Sequence, residues 1–234
     1  MDESLRPWGS VAGAGAAERV SAFLRAVYWW MTIGLGVTAS VAFVVAGSPA
    51  LIGALVGNHL IFFALLIGEL GLVFVLSARV DRMTPGTASG LFLVYSALNG
   101  ITLSVVLLAY TGESVGTTFV VTAAMFGALA LFGTVTQRSL AGVGQFVLMG
   151  LVGLILASIV GMFWHNDALQ FLISVVGVIV FTGLTAWDAQ RLKQMGATVP
   201  VGQGGAQAVV GALSLYLNFV NLFLILLRLQ GRRD

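Results

Sequence analysis

No cysteine occurs among the 234 residues, so a disulfide framework, thiol chemistry and a thiolate metal site are excluded. Charge is scarce too. Asp, Glu, Lys and Arg make up 9% of the chain, against roughly 25% in an average soluble domain, and 59% of residues are hydrophobic. This composition excludes a soluble globular protein. Histidine is limited to His59 and His165, and no HExxH, GxSxG or GxxxxGK[ST] string is present. A hydrolase needs a convergent nucleophile, base or ligand set, so the chain reads as a non-enzyme without a cofactor. The 11 Lys and Arg residues are scattered rather than gathered in a patch, which argues against a nucleic-acid partner.

What the chain does have is long apolar runs: Ala26 to Ala46, Leu60 to Ala78, Ala88 to Tyr110, Val115 to Thr136, Val143 to Trp164, Ala168 to Trp187 and Val209 to Leu227. Each is close to the roughly 20 residues that a helix needs to cross hydrocarbon. They are apolar throughout instead of alternating over about 10 residues, so an outer-membrane barrel is excluded. The predicted fold is an all-α polytopic membrane protein of seven transmembrane helices, with the lipid bilayer as its solvent. Residues 1–25 begin with acids and lack the basic-then-apolar order of a cleaved signal peptide. They are expected to form a mostly mobile cytoplasmic tail, followed by one membrane domain over residues 26–234.

Arg6, Arg19, Arg25, Arg79, Arg82, Arg138, Arg191 and Lys193 all fall on one side of these spans, while the connections Gly47 to His59, Thr111 to Ser114 and His165 to Asp167 carry no Lys or Arg. The positive-inside rule then puts the N-terminus in the cytoplasm. Seven spans leave Arg228, Arg232 and Arg233 outside, whereas a re-entrant last segment would return them. The longest connection, Asp188 to Ala208, ends in the Pro/Gly linker VPVGQGGAQA. The 30 glycines suit close helix packing, as at the small-xxx-small pairs Gly53 with Gly57 and Gly86 with Gly90. Trp29, Trp30, Trp164 and Trp187 sit near span ends, as in an interfacial belt.

A few polar residues interrupt the apolar runs. Glu69 is tenth of the nineteen residues from Leu60 to Ala78, near mid-bilayer, where a carboxylate costs on the order of 3 kcal/mol. It is either a protonated side chain bonded to a neighbouring helix or a proton or cation site facing a cavity. Asp188 closes span six at the cytoplasmic edge, with Arg191 one turn on. It either pairs with Arg191 or latches across the bundle to Arg79 or Arg82. Asn99 in span three, with Asn218 and Asn221 in span seven, either bridge helices or offer a carbonyl oxygen to a cation. Glu69 and Asp188 are the candidate calcium contacts.

The strings LIGELGLVFVLSARV, YSALNGITLSVVLLAYTG, FTGLTAWDAQRLKQM and ALSLYLNFVNLFLILLRL, with the long run FVVTAAMFGALALFGTVTQRSLAGVGQFVLMGLVGLILASIV between the second and third, resemble the bacterial Bax inhibitor-1 family of membrane proteins. The resemblance implies two three-helix groups around the last helix, in the bacterial cytoplasmic membrane, and a calcium leak whose opening responds to pH. It implies further that Asp188 belongs to a gate with the last helix, that an arginine near the end of span two (Arg79 or Arg82) latches it, and that Glu69 lies on the ion path, for which Asn99 is a further candidate. Asn218 stands where the pattern calls for a second aspartate. The proton-sharing pair is therefore broken, since an Asp beside an Asn titrates singly. By span limits alone, Asp188 and Asn218 meet only if span seven begins several residues after Val209. The alternative function is a non-conducting regulator of a membrane-anchored ATP-dependent protease, as for some bacterial relatives, with the polar tail as the segment gripped.

Overall fold

The computed structural model describes residues 7–164, 166–200 and 204–232. Arg6, His165 and Arg233, used above in reading the topology, lie outside the described residues. Eight helices follow in order: α1 Pro7–Ala46, α2 Pro49–Gly57, α3 His59–Ala78, α4 Pro85–Leu107, α5 Gly112–Val135, α6 Ala141–Phe163, α7 Asp167–Thr198 and α8 Gly205–Gln230. There is no strand among the described residues. Seven of the helices are long and apolar enough to cross a membrane. The exception, α2, has 9 residues and rises only about 13 Å at 1.5 Å per residue.

Local chemistry sets the helix starts. The side chain of Asn58 accepts from the Leu60 and Ile61 N–H groups, Thr84 from Thr87, Thr111 from Ser114, and Asn166 from Ala168 and Leu169. Each thereby satisfies N–H groups that have no partner within the helix. Pro49 and Pro85 occupy first-turn positions, where a missing N–H costs nothing.

α1, α3 and α4 form one group and α5, α6 and α7 another, with α8 between them in contact with α1, α3, α4, α5 and α7. Of the most apolar stretch of α8, 61% is buried, against 11% for α3 and for α6. α8 is thus the central post, and α3 and α6 turn most of their surface to lipid. The C-terminal end of α8 meets the α4–α5 connection, where Thr111 N–H donates to the Arg232 carbonyl at 3.1 Å and Arg232 N–H to Ser114 Oγ at 2.9 Å. The C-terminus therefore lies at the membrane face opposite Arg79 and Arg82, and the last helix crosses rather than re-enters.

Three expectations are corrected. Residues 7–25 continue α1 as helix instead of forming a mobile tail. The run Ala14, Ala16, Ala17, Glu18 is rich in helix formers, and Phe23, 8% exposed, packs on Gly196 of α7 and Gly204 before α8. α7 does not end at Trp187 but runs eleven residues further, to Thr198. Gln190 fastens this extension by accepting from Leu140 N–H at 2.8 Å and donating to the Arg138 carbonyl at 2.9 Å, and Lys193 Nζ donates to the Thr134 carbonyl at 2.6 Å. Trp187 is consequently inside the helix, half-buried against Gly144, and not in a belt; Trp29 and Trp164 are exposed. Finally, Gly53, Gly57, Gly86 and Gly90 have nothing near them that a side chain would meet. The close crossings use other glycines. Gly100 brings α4 against the Thr38 carbonyl of α1, which would lie 2.7 Å from an added Cβ, and Gly133 brings α5 onto the Ala186 carbonyl of α7.

Candidate functional site

Four polar residues marked by the sequence meet inside the bundle in two clusters. In the first, Asn218 Nδ2 of α8 donates to Asp188 Oδ2 of α7 at 2.8 Å, and Ser214 Oγ donates to the same oxygen at 2.7 Å. Ser214 and Asn218 are four residues apart and so share a helix face. Asp188 and Asn218 are each 5% exposed. The expectation that they meet only through a late start of α8 is overturned, because α8 begins before Val209, at Gly205. They meet because α7 is long: Asp188 lies ten residues before Thr198, about 15 Å inside the helix end. Arg191 follows Asp188 by three residues, and its Cζ lies 5.7 Å from the Trp187 ring centroid. Arg79 and Arg82 are exposed at the end of α3 and in the short 3₁₀ turn after it. The structure does not bring them to Asp188.

The second cluster joins α3 and α4 to α8 and α1. Glu69 accepts from Asn99 Nδ2 at 3.0 Å and from Thr102 Oγ1 at 2.5 Å. The Asn99 carbonyl oxygen accepts from the Tyr216 hydroxyl at 2.9 Å, and Thr38 Oγ1 lies 2.6 Å from the Tyr216 oxygen and 2.8 Å from the Ser96 carbonyl, two acceptors that share its one proton. All of these side chains are buried. Asn99 thus bridges helices and aims its N–H groups, not its oxygen, at Glu69. Tyr216 is clamped edge-on by Phe92 and Tyr95, with ring centroids 5.8 and 5.7 Å away. Tyr216 and Asn218, two residues apart, project from nearly opposite sides of α8 at 3.6 residues per turn.

A cavity of about 890 Å³ links the clusters. Its side walls come from α3 (Leu66, Leu70) and α6 (Leu151, Ile155), which make no substantial contact with each other. Glu69, Asp188, Arg191, Asn218, Asn221 and Arg228 supply its charged and amide groups. A second cavity of about 290 Å³ lies beyond, towards the cytoplasmic face of the expected topology, with Ser77 and Gln207 in its wall. Asp188, Arg191, Ser214 and Leu217 belong to both walls, so the partition is about one side chain thick. Gln207, Ser214, Asn221 and Arg228 recur every seventh residue along α8. They form a polar row about 31 Å long at 1.5 Å per residue, the thickness of the hydrocarbon core.

Oxygen ligands of this kind suit a hard cation. No group of three or more His, Asp or Glu residues comes together among the described residues. Ser214, Thr102, Tyr216 and Thr38 did not stand out in the sequence. Helical spacing carried a signal for two of them, since Ser214 is one turn before Asn218 and Thr102 one turn after Asn99.

The family described as "Inhibitor of apoptosis-promoting Bax1" matches residues 20–234, a range that includes both clusters. The "Inner membrane protein YbhL" of Escherichia coli strain K12 is 45% identical over 214 residues, covering 90% of this chain and 92% of its own. A protein of Borreliella burgdorferi is 39% identical over 213 residues, with coverage of 90% and 92%. One of Deinococcus radiodurans is 38% identical over 218 residues and covers 93% of each chain.

Proposed function

This chain belongs to the Bax inhibitor-1 family of membrane proteins, and from that membership we propose that it is a cation leak of the bacterial inner membrane that passes calcium. The observation that carries this reading is the position of Asp188, a buried carboxyl in the partition between two cavities. Eight basic residues on one set of connections support a cytoplasmic N-terminus, and the name of the Escherichia coli relative supports the membrane.

In this mechanism a cation enters the large cavity past Glu69 and reaches Asp188. There it takes the place of the two donors now on Oδ2. Ser214 then turns a lone pair towards the ion, and Asn218, by rotating its amide half a turn, exchanges its N–H for its carbonyl oxygen. The partition changes from a donor clamp to an acceptor set by side-chain rotation alone. With an amide at position 218 the gate holds one carboxyl, so it lacks the coupled titration of a carboxyl pair.

The test is calcium flux into dye-loaded proteoliposomes between about pH 6 and 8, where coupled carboxyls can titrate. Wild-type protein conducts, and Asn218→Asp conducts with a steeper pH dependence, because two carboxyls in contact cannot both be charged. Glu69→Gln lowers the flux; an unchanged flux removes Glu69 from the path. Absence of flux in folded protein overturns the leak in favour of a non-conducting regulator of a membrane-anchored ATP-dependent protease, for which loss of protease association on deleting residues 2–18 is the test.

A further inference from the structure

The large cavity is not an acidic funnel. Its wall carries two carboxyl side chains, Glu69 and Asp188, and two guanidinium ones, Arg191 and Arg228. Three of the four are engaged there. Glu69 holds Asn99 and Thr102, Asp188 holds Ser214 and Asn218, and Arg191 lies over the Trp187 ring. Arg228 differs, since its one hydrogen bond among the described residues is a long one, Nη1 to the neutral Gln170 Oε1 at 3.4 Å. It is exposed, and it closes the polar row on α8 at the end where Arg232 meets Thr111 and Ser114. An ion entering from that face passes the Arg228 guanidinium, which no carboxylate among the described residues holds in a hydrogen bond, before it reaches Glu69.

We infer that Arg228 sets the valence preference of the path by disfavouring divalent against monovalent cations. The inference rests on the conduction reading above and narrows it. An ion's energy in the field of Arg228 is its charge multiplied by the local potential. Dissolved salt lowers that potential, but leaves the proportionality to charge intact. If loss of the charge multiplies potassium entry by a factor f, it multiplies calcium entry by f squared. A change that merely loosened the mouth has no reason to obey the square.

The experiment measures potassium and calcium flux in the same proteoliposome preparations for wild type, Arg228→Gln, Arg228→Glu, Arg228→Lys and Gln170→Ala. Arg228→Gln is expected to raise potassium flux about twofold and calcium flux about fourfold, and Arg228→Glu about fourfold and about sixteenfold, for a screened charge about 10 Å away acting through an effective dielectric of about 30. Arg228→Lys keeps the charge and the wild-type ratio. Gln170→Ala removes only the hydrogen bond and also keeps the ratio. Equal rises for both ions in Arg228→Gln, or a shifted ratio in Gln170→Ala, overturn the assignment to Arg228 while leaving conduction intact. Flux that is insensitive to Glu69→Gln in the same assay strikes the proposed path instead. Absence of both fluxes in folded wild-type protein overturns conduction, and the valence role with it.

Discussion

Gly133→Ala tests whether the candidate gate depends on how closely α5 approaches α7. A Cβ at Gly133 would overlap the Ala186 carbonyl oxygen and stand 2.9 Å from its carbon, where ordinary contact begins at 3.4 Å. The obstacle is backbone, which has no rotamer to adopt, so the two helices must part by half an ångström or more. Forced overpacking costs typically 1–3 kcal/mol, and a rigid obstacle belongs at the upper end. Alanine returns up to about 1 kcal/mol of helix propensity, leaving a net loss of about 2 kcal/mol. Gly127→Ala, two turns earlier on α5, supplies the control. Nothing lies within 4 Å of the added methyl, so it keeps the propensity gain without the clash. The two variants should therefore differ by about 3 kcal/mol when unfolding equilibria are followed by circular dichroism in mixed micelles. Ala186 is two residues before Asp188, so parting the helices there also disturbs the 2.8 Å contact between Asp188 and Asn218. Gly133→Ala is expected to alter flux, and Gly127→Ala is not. Equal stability of the two variants would refute the reasoning, because the added methyl would then have met no fixed obstacle.

Tyr216→Phe keeps the ring contacts with Phe92 and Tyr95 but leaves the Asn99 oxygen without its donor; it should cost about 1 kcal/mol in the same unfolding assay, whereas Tyr216→Ala, which empties a fully buried site, should cost about 3–5 kcal/mol. Thr38→Val combined with Tyr216→Phe should cost less than the two separately, since both break the one 2.6 Å contact; strict additivity would show that the contact is not formed. Gln190→Ala strips the partners from Leu140 N–H and the Arg138 carbonyl, and hydrogen exchange at Leu140 should accelerate while exchange in the middle of α8 holds. Phe23→Ala should raise exchange across residues 15–25, because that side chain anchors the start of α1 to α7 and α8; unchanged exchange there would mean that the anchor lies elsewhere.

The seven crossings were legible in the sequence because the cost of exposing polar backbone to lipid leaves a long apolar run few alternatives to helix. Helix ends were not legible from the same signal. Hydropathy falls at Asp188 and ends the span by that signal, yet the helix continues because Gln190, Lys193 and Leu192 each find a partner in the bundle. Cutting the helix at Trp187 moved the meeting of Asp188 with Asn218 onto a supposed late start of α8, which in fact begins at Gly205. Glycine pairs misled for a related reason. Spacing says which glycines share a helix face, but not which face meets another helix, and the crossings at Gly100 and Gly133 depend on the backbone carbonyls opposite them.

Glu69 and Asp188 stood out because ionisable groups in hydrocarbon are costly enough to be conspicuous. Their partners are hydroxyls and amides, which are common in any membrane helix, and only three-dimensional placement distinguishes Thr102 and Ser214 from bystanders that bond to their own helix. Ser158 and Thr185 illustrate the difference, each donating to the carbonyl one turn back. A hydroxyl can always satisfy itself in that way, so its presence in a sequence carries little information about sites. Ser214 and Thr102 donate instead to carboxyl oxygens on another helix. That choice marks the two places where a cation could compete for the same oxygens, and both are reached from the one cavity between α3 and α6.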